Sequence, residues 1–311
     1  MQIALKVDVD TLRGTQEGVP ALLRLFDRYR VQATFLWSLG PDHTGRALRR
    51  IFRRGFLSKV SRTSVVSHYG LKTLLYGVLL PGPMIGQRAV AVLRSTVRAG
   101  HETGIHCYDH VAWQDHVAQQ GESWTRQVLQ QAMEIHDNLL GKPTTHGAAG
   151  WQINPHLLAV EEEWGLPYAS DTRGTHPFLP VMGGRWFACP QLPTTLPTLD
   201  EWLGREGVDA HSVHERVLAA SRESRPYGHV YTLHAELEGM KLLPVMEKLL
   251  QVWQSEGFAV GRLADLHRAL QGVELPHHAV VWGEVPGRSG VLALQGEVVD
   301  KAISQPRNLL L

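Results

Sequence analysis

This sequence is short of cysteine, of long apolar runs and, over one stretch, of acid. Only Cys107 and Cys189 are cysteines among 311 residues, so one disulfide is the maximum and a disulfide framework is excluded. A reduced, cytosolic chain is the expectation. Apolar runs fall far short of the roughly 18 residues that cross a bilayer. No cationic start, apolar stretch and cleavage site precede the first strand, so no signal peptide is expected. Between His43 and His101 there is no Asp or Glu at all, against eleven Lys and Arg. The remainder holds 20 basic and 30 acidic residues, so the net charge of +1 hides an acidic body with a cationic insert. Such asymmetry points to an anionic partner, a membrane surface or a nucleic acid.

What is present fits a globular fold, with 43% hydrophobic and 20% charged residues. Short apolar runs at 3–9, 33–39, 102–107, 145–148, 168–170, 230–233 and 258–260 read as strands. Helical spacing marks 18–29, 124–140, 155–164, 212–223 and 243–256, and Gly141, Gly165 and Gly257 fall where C-caps belong. Strands alternating with helices predict a parallel sheet or a (β/α) barrel. We expect one domain over 1–275, including the basic insert at 43–100, and a tail at 276–311 that reads as irregular or β-like.

The insert has its own pattern. In Arg46–Leu57, Leu48, Ile51 and Phe52 gather together while Arg49, Arg50, Arg53 and Arg54 take other positions. The run Leu71–Ile85, with Leu74, Leu75, Leu79 and Leu80, is apolar and broken by Gly and Pro. A basic amphipathic helix beside such a segment suits a chain lying in a membrane interface. The plainer alternative is a solvated basic face and a buried helix.

Three places carry candidate chemistry. Asp8 and Asp10 lie two apart at the end of the first strand, so both carboxylates face one side. Two anions that close call for a cation between them; a helix cap and a surface aspartate are the bland alternative. His106 and His110, four apart, are expected to share one face of a helical turn and offer imidazole nitrogens to a metal such as zinc. His101, Cys107, Asp109 and His116 are neighbours, with Cys107 assigned to packing and His116 to the surface. His234 closes a late apolar strand, where a barrel gathers its chemistry. Asp171, after another strand, is a candidate to orient a histidine, or else a turn aspartate before Gly174.

Val7-Asp8-Val9-Asp10, the block Gly100–His110 and Leu233-His234, in this order, resemble the polysaccharide deacetylases of carbohydrate esterase family 4. The likeness covers roughly 1–270 without the insert. It implies a distorted (β/α) barrel and one divalent metal ion, with zinc expected ahead of manganese, cobalt or nickel. It also implies a metal set of Asp10, His106 and His110, Asp8 as general base, and His234, oriented by Asp171, as acid. Family members often hold the base with an arginine of a third motif. The corresponding stretch here, His146–Gln152, has none, and Arg173 is a candidate substitute. His146–Trp151, Ala169–Gly174 and Leu192–Thr195 resemble a branch that deformylates a formamido sugar carried on undecaprenyl phosphate. That branch implies a peripheral enzyme at the cytoplasmic face of the inner membrane, serving lipid A modification and resistance to polymyxin and cationic peptides. Trp151, Gly150, Tyr108, Arg173 and Thr194 are the expected substrate contacts, with the oxyanion near the Trp151 N–H. The competing readings are a soluble N-deacetylase and a nucleic-acid-binding protein. The insert's few aromatics and the otherwise idle Asp–His constellation argue against the latter, and no nucleic acid is expected.

Overall fold

The computed structural model describes residues 1–47 and 71–300. The calls on Leu48 through Phe52, Arg49, Arg50, Arg53 and Arg54 lie outside these residues.

Strand β1 (Gln2–Val9) occupies the middle of a parallel sheet. It pairs with β2 (Thr34–Ser38) on one side and β6 (His229–His234) on the other. Beyond β2 lies β3 (Glu102–Cys107), and the short β7 (Ala259–Gly261) joins the first residues of β1. The strands of this sheet were legible in the sequence to within a residue or two.

Alternation along β1 explains what each side does. Ile3, Leu5, Val7 and Val9 point into the main core, where they meet Leu22, Leu25 and Phe26 of helix α1 (Val19–Tyr29) and Met246, Leu249 and Trp253 of a later helix at Leu243–Ser255. Each such burial contributes about 1.5–3 kcal/mol relative to exposure. The other parity holds Ala4, Lys6 and Asp8, all buried.

On the far side, backbone hydrogen bonds rather than long strands link β3 back to β6. Ile105 N–H donates to Thr145 O, Ser170 N–H to His146 O, Leu192 N–H to Ala169 O and Thr195 N–H to Val230 O. The runs expected as strands at 145–148 and 168–170 make only isolated bridges. The barrel is therefore distorted, with a regular half and an irregular half.

The tail is part of the fold. β4 (Leu179–Met182) pairs with β5 (Arg185–Trp186) and with β8 (His277–Glu284), and β8 pairs with β9 (Val291–Val298), in a second sheet. Of the apolar insert, Leu74 is buried, whereas Leu75 and Leu80 are exposed and Leu79 is 76% exposed. Leu74 is thus a packing residue, not a free apolar contact. No helix among the described residues is long and apolar enough to cross a membrane.

Candidate active site

The site forms where β1, β3 and β6 end. Asp8 and His234 are register partners on adjacent strands. Asp10 follows β1, and its backbone is held from the end of the neighbouring strand β6. Glu236 Oε1 accepts from the Asp10 and Thr11 N–H groups at 3.0 and 2.9 Å and from the Thr11 hydroxyl at 2.9 Å. A Cβ on Gly14 would sit 2.0 Å from that same oxygen, so only glycine admits Glu236 here. Burial, with the Asp10 charge, pushes the Glu236 carboxyl up to about 8. The sequence reading passed over Glu236; an acid two residues beyond a strand-end histidine was the available signal.

His106 and His110 do meet, with ring centroids 5.4 Å apart, but they do not share a helical turn. His106 is on β3, and His110 opens helix α2 (His110–His116), which Asp109 caps by accepting from Ala112 N–H at 3.1 Å. A spacing of four here spans a strand end and a helix start. Cys107, on the opposite parity, is buried against Ser38 at 3.2 Å. Both cysteines are free. His116 is exposed, and His101 is a core residue that accepts from Ala33 N–H at 3.0 Å.

The hydrogen bonds around His106 decide what its ring offers. Nδ1 lies 2.6 Å from Gly147 O, and a carbonyl only accepts, so Nδ1 carries the proton. Nε2, the nitrogen left for a metal in the neutral tautomer that a metal requires, faces Asp10 Oδ1 at 3.3 Å. His110 Nε2 is 3.5 Å from Asp10 Oδ2. Burial lowers the His110 pKa, which favours the neutral imidazole that a metal requires. Burial opposes the charge of Asp10, but His110 and His106 outweigh it and its pKa is lowered. Asp10 Oδ1 is buried without a hydrogen-bond partner. Ligand atoms of the three residues lie within 4.8 Å of one another. Acceptors converging on one point, with the tautomer fixed from behind, fit a divalent cation.

His234 closes β6. Its N–H donates to Glu238 Oε2 at 2.9 Å, and its Nδ1 is buried without a partner. Burial lowers its pKa, but Asp200 and then Asp10 outweigh burial and raise it. The expected pairing with Asp171 is incorrect. Asp171 Oδ1 accepts from His146 Nδ1 and Ala148 N–H, both at 2.8 Å, and Oδ2 from Gln191 at 2.7 Å. Its bonds hold the 146–151 loop, and Asp200 is the carboxylate that acts on His234. Asp200 in turn pairs with Arg288, from the β8–β9 turn, at 2.8 Å.

The expected substrate contacts divide. Arg173 pairs with Glu201 and lies over the Trp151 ring at 5.1 Å, so it does not tether Asp8. Arg288 lies over the same ring at 4.7 Å. Thr194 is buried, sharing its hydroxyl with Thr232 at 2.7 Å and accepting from the Trp151 indole N–H at 3.3 Å. It orients Trp151. The Trp151 N–H donates to Ala148 O at 3.1 Å and is already engaged. Gly150 has φ +62, and a Cβ there would meet Gln114 at 2.7 Å. Tyr108 sits between the two histidines, its carbonyl accepting from Gly40 N–H at 2.7 Å.

No family model matches the chain. It is 33% identical over 302 residues, 96% of each chain, to the 4-deoxy-4-formamido-L-arabinose-phosphoundecaprenol deformylase ArnD of Shewanella sediminis. It is 29% identical to the ArnD of Wigglesworthia glossinidia brevipalpis, over 92% of this chain and 99% of that one. The chain belongs to the ArnD deformylase family. Solved structures similar to it share the fold. A polysaccharide deacetylase from Mycobacterium smegmatis matches 91% of this chain and 94% of its own at TM-score 0.62 and 18% identity. A peptidoglycan N-acetylglucosamine deacetylase matches 85% and 87% at TM-score 0.51 and 17% identity. Membership of the ArnD family makes the protein an amide hydrolase.

Proposed function

We propose that this chain removes the formyl group from undecaprenyl-phosphate-linked 4-deoxy-4-formamido-L-arabinose, yielding formate and the free amino sugar. The observation that carries the reading is the convergence of Asp10, His106 and His110 beside a further carboxylate, Asp8. Asp10, His106 and His110 would hold one divalent ion, with zinc ahead of manganese, cobalt or nickel on the chemistry of two imidazoles and a carboxylate. The bound ion supplies Lewis-acid polarisation of the formyl oxygen and a more acidic water.

Asp10 is committed between two imidazoles, whereas Asp8 Oδ1 is buried without a hydrogen-bond partner. Asp8 therefore accepts the proton of the attacking water. His234, on the neighbouring strand and held toward its protonated form by Asp200, donates to the nitrogen of the departing amine. Trp151, held by Thr194 and flanked by Arg173 and Arg288, walls the site. It excludes water and packs on the sugar.

The lipid carrier requires the enzyme to come to a membrane. The eleven basic residues between His43 and His101 fit an anionic surface, each worth on the order of 1 kcal/mol near it. Exposed Leu75, Leu79 and Leu80 add apolar contact. These features support a peripheral location on a membrane, and the lipid-linked substrate is the reason to read it as the cytoplasmic face of the inner membrane, in lipid A modification and cationic-peptide resistance.

The test is formate release from the lipid-linked formamido sugar, with and without chelator, by the native chain and by Asp8→Ala. Chelator-sensitive release that Asp8→Ala loses supports the reading. A folded, metal-loaded enzyme that releases acetate from N-acetyl sugars and no formate from this lipid would overturn it.

A further inference from the structure

We propose that Lys6 is the positioning residue of Asp8, supplying from inside the first strand the cation that holds the general base in place. The proposal rests on the assignment of Asp8 as base, and its test separates the two.

Lys6 is fully buried and the one cation of strand β1, and a fully buried lysine is rare unless paired. It has the parity of Asp8, so both side chains leave the strand on one side. Its Nζ lies 3.8 Å from Asp8 Oδ2, an ion-pair contact too long for a hydrogen bond. A hydrogen bond of 2.8 Å to Ser170 O anchors Nζ. The face of Trp151 lies 5.6 Å away. Asp171, Arg173 and Asp10 are the other charges that reach it.

The irregular half of the barrel is shaped around this amine. A Cβ on Gly147 would stand 2.3 Å from Leu36 Cδ1, 3.1 Å from Lys6 Cε and 3.2 Å from Nζ. The loop that brings in Gly147 is the one that carries no arginine, and its glycine leaves room that Leu36 and the lysine share. The Gly147 carbonyl meanwhile fixes His106. One residue thus admits the cation beside Asp8 and sets the tautomer of a candidate ligand. Among the described residues no other cation lies as close to Asp8: His106 Nδ1, at 3.9 Å, donates instead to the Gly147 carbonyl.

A misplaced base loses rate rather than affinity. Lys6→Met, one atom shorter and uncharged, is expected to lower kcat for formate release by about 10- to 100-fold. KM and the metal bound per chain should stay near the native values, while the Tm of the metal-free protein falls because a buried pair loses one partner. In an Asp8→Asn background the same change should cost nothing further, because a residue that acts through Asp8 has nothing left to act on. Lys6→Gln, which keeps a donor for Ser170, carries the same test should Lys6→Met not fold. Three results would overturn the proposal: native kcat in Lys6→Met, an undiminished loss in the Asp8→Asn background, or a loss of kcat matched by lost metal. Native kcat in Asp8→Asn alone would instead remove the base assignment.

Discussion

Two clusters in this protein hold the same kinds of ligand and do different things. Asp10, His106 and His110 converge at the strand ends, and His146, Glu161 and Asp171 converge behind them in the core. The backbone decides the difference. In the first cluster the Gly147 carbonyl accepts from His106 Nδ1 and leaves Nε2, the nitrogen for a metal, facing the carboxylate. In the second, His146 Nδ1 faces carboxylates directly, Asp171 at 2.8 Å and Glu161 at 2.9 Å. Burial lowers the His146 pKa, but Asp171 and Glu161 outweigh it and lift it to about 9. A proton occupies the second cluster, and the first is arranged for a metal ion. The two are joined, since Asp171 also accepts from Ala148 N–H and fixes the loop that reaches His106.

The largest expected effect comes from breaking the first cluster. His106→Ala should abolish bound metal and reduce formate release by at least about 1000-fold, a loss on the scale of removing an essential catalytic group. Metal analysis and a turnover assay check it, and the fold should persist because the core lies on the other face of β1.

Breaking the second cluster should act on stability first. His146→Gln leaves Asp171 and Glu161 facing each other in the core, and removing one partner of a buried pair costs about 3–5 kcal/mol. Denaturant unfolding at pH 7 measures it. The pH dependence has a definite sign. A folded pKa of about 9 against 6.5 contributes stability in full below about pH 6.5 and loses it as pH rises through about 9. Native Tm should fall over that window, and His146→Gln should flatten the fall. A native Tm that rises from pH 7 to 9 would contradict the assignment.

The sequence carried the first cluster better than the second. Asp8, Asp10, His106, His110 and His234 sit at strand ends or helix starts whose periodicity is plain, so their meeting follows from the barrel. Partners that come from the irregular half do not follow. The resemblance matched Asp171 to His234, yet nothing in the spacing reveals that His146 is its neighbour and that Asp200 faces His234. The role of residues 277–298 depends on a pairing with β4, about a hundred residues earlier in the chain. Lys6 could have been noticed, as a lone cation within an apolar strand at the parity of Asp8 and Asp10.

Smaller effects sharpen the contrast between the buried site and the exposed insert. Leu79→Ser with Leu80→Ser should lower recovery on anionic vesicles several-fold, as about 1–2 kcal/mol of apolar contact would. Turnover on a short-chain, water-soluble analogue should not change. Leu74→Ser, at a buried position, should lower Tm instead. Vesicle sedimentation and thermal melts distinguish these outcomes.

The central claim is that backbone hydrogen bonding sends a metal ion to one cluster and a proton to the other. Anomalous diffraction from crystals of the native protein equilibrated with zinc tests it most directly. One peak between Asp10, His106 and His110, with none at His146, is the predicted result. A peak between His146, Glu161 and Asp171, with the first cluster empty, would contradict it.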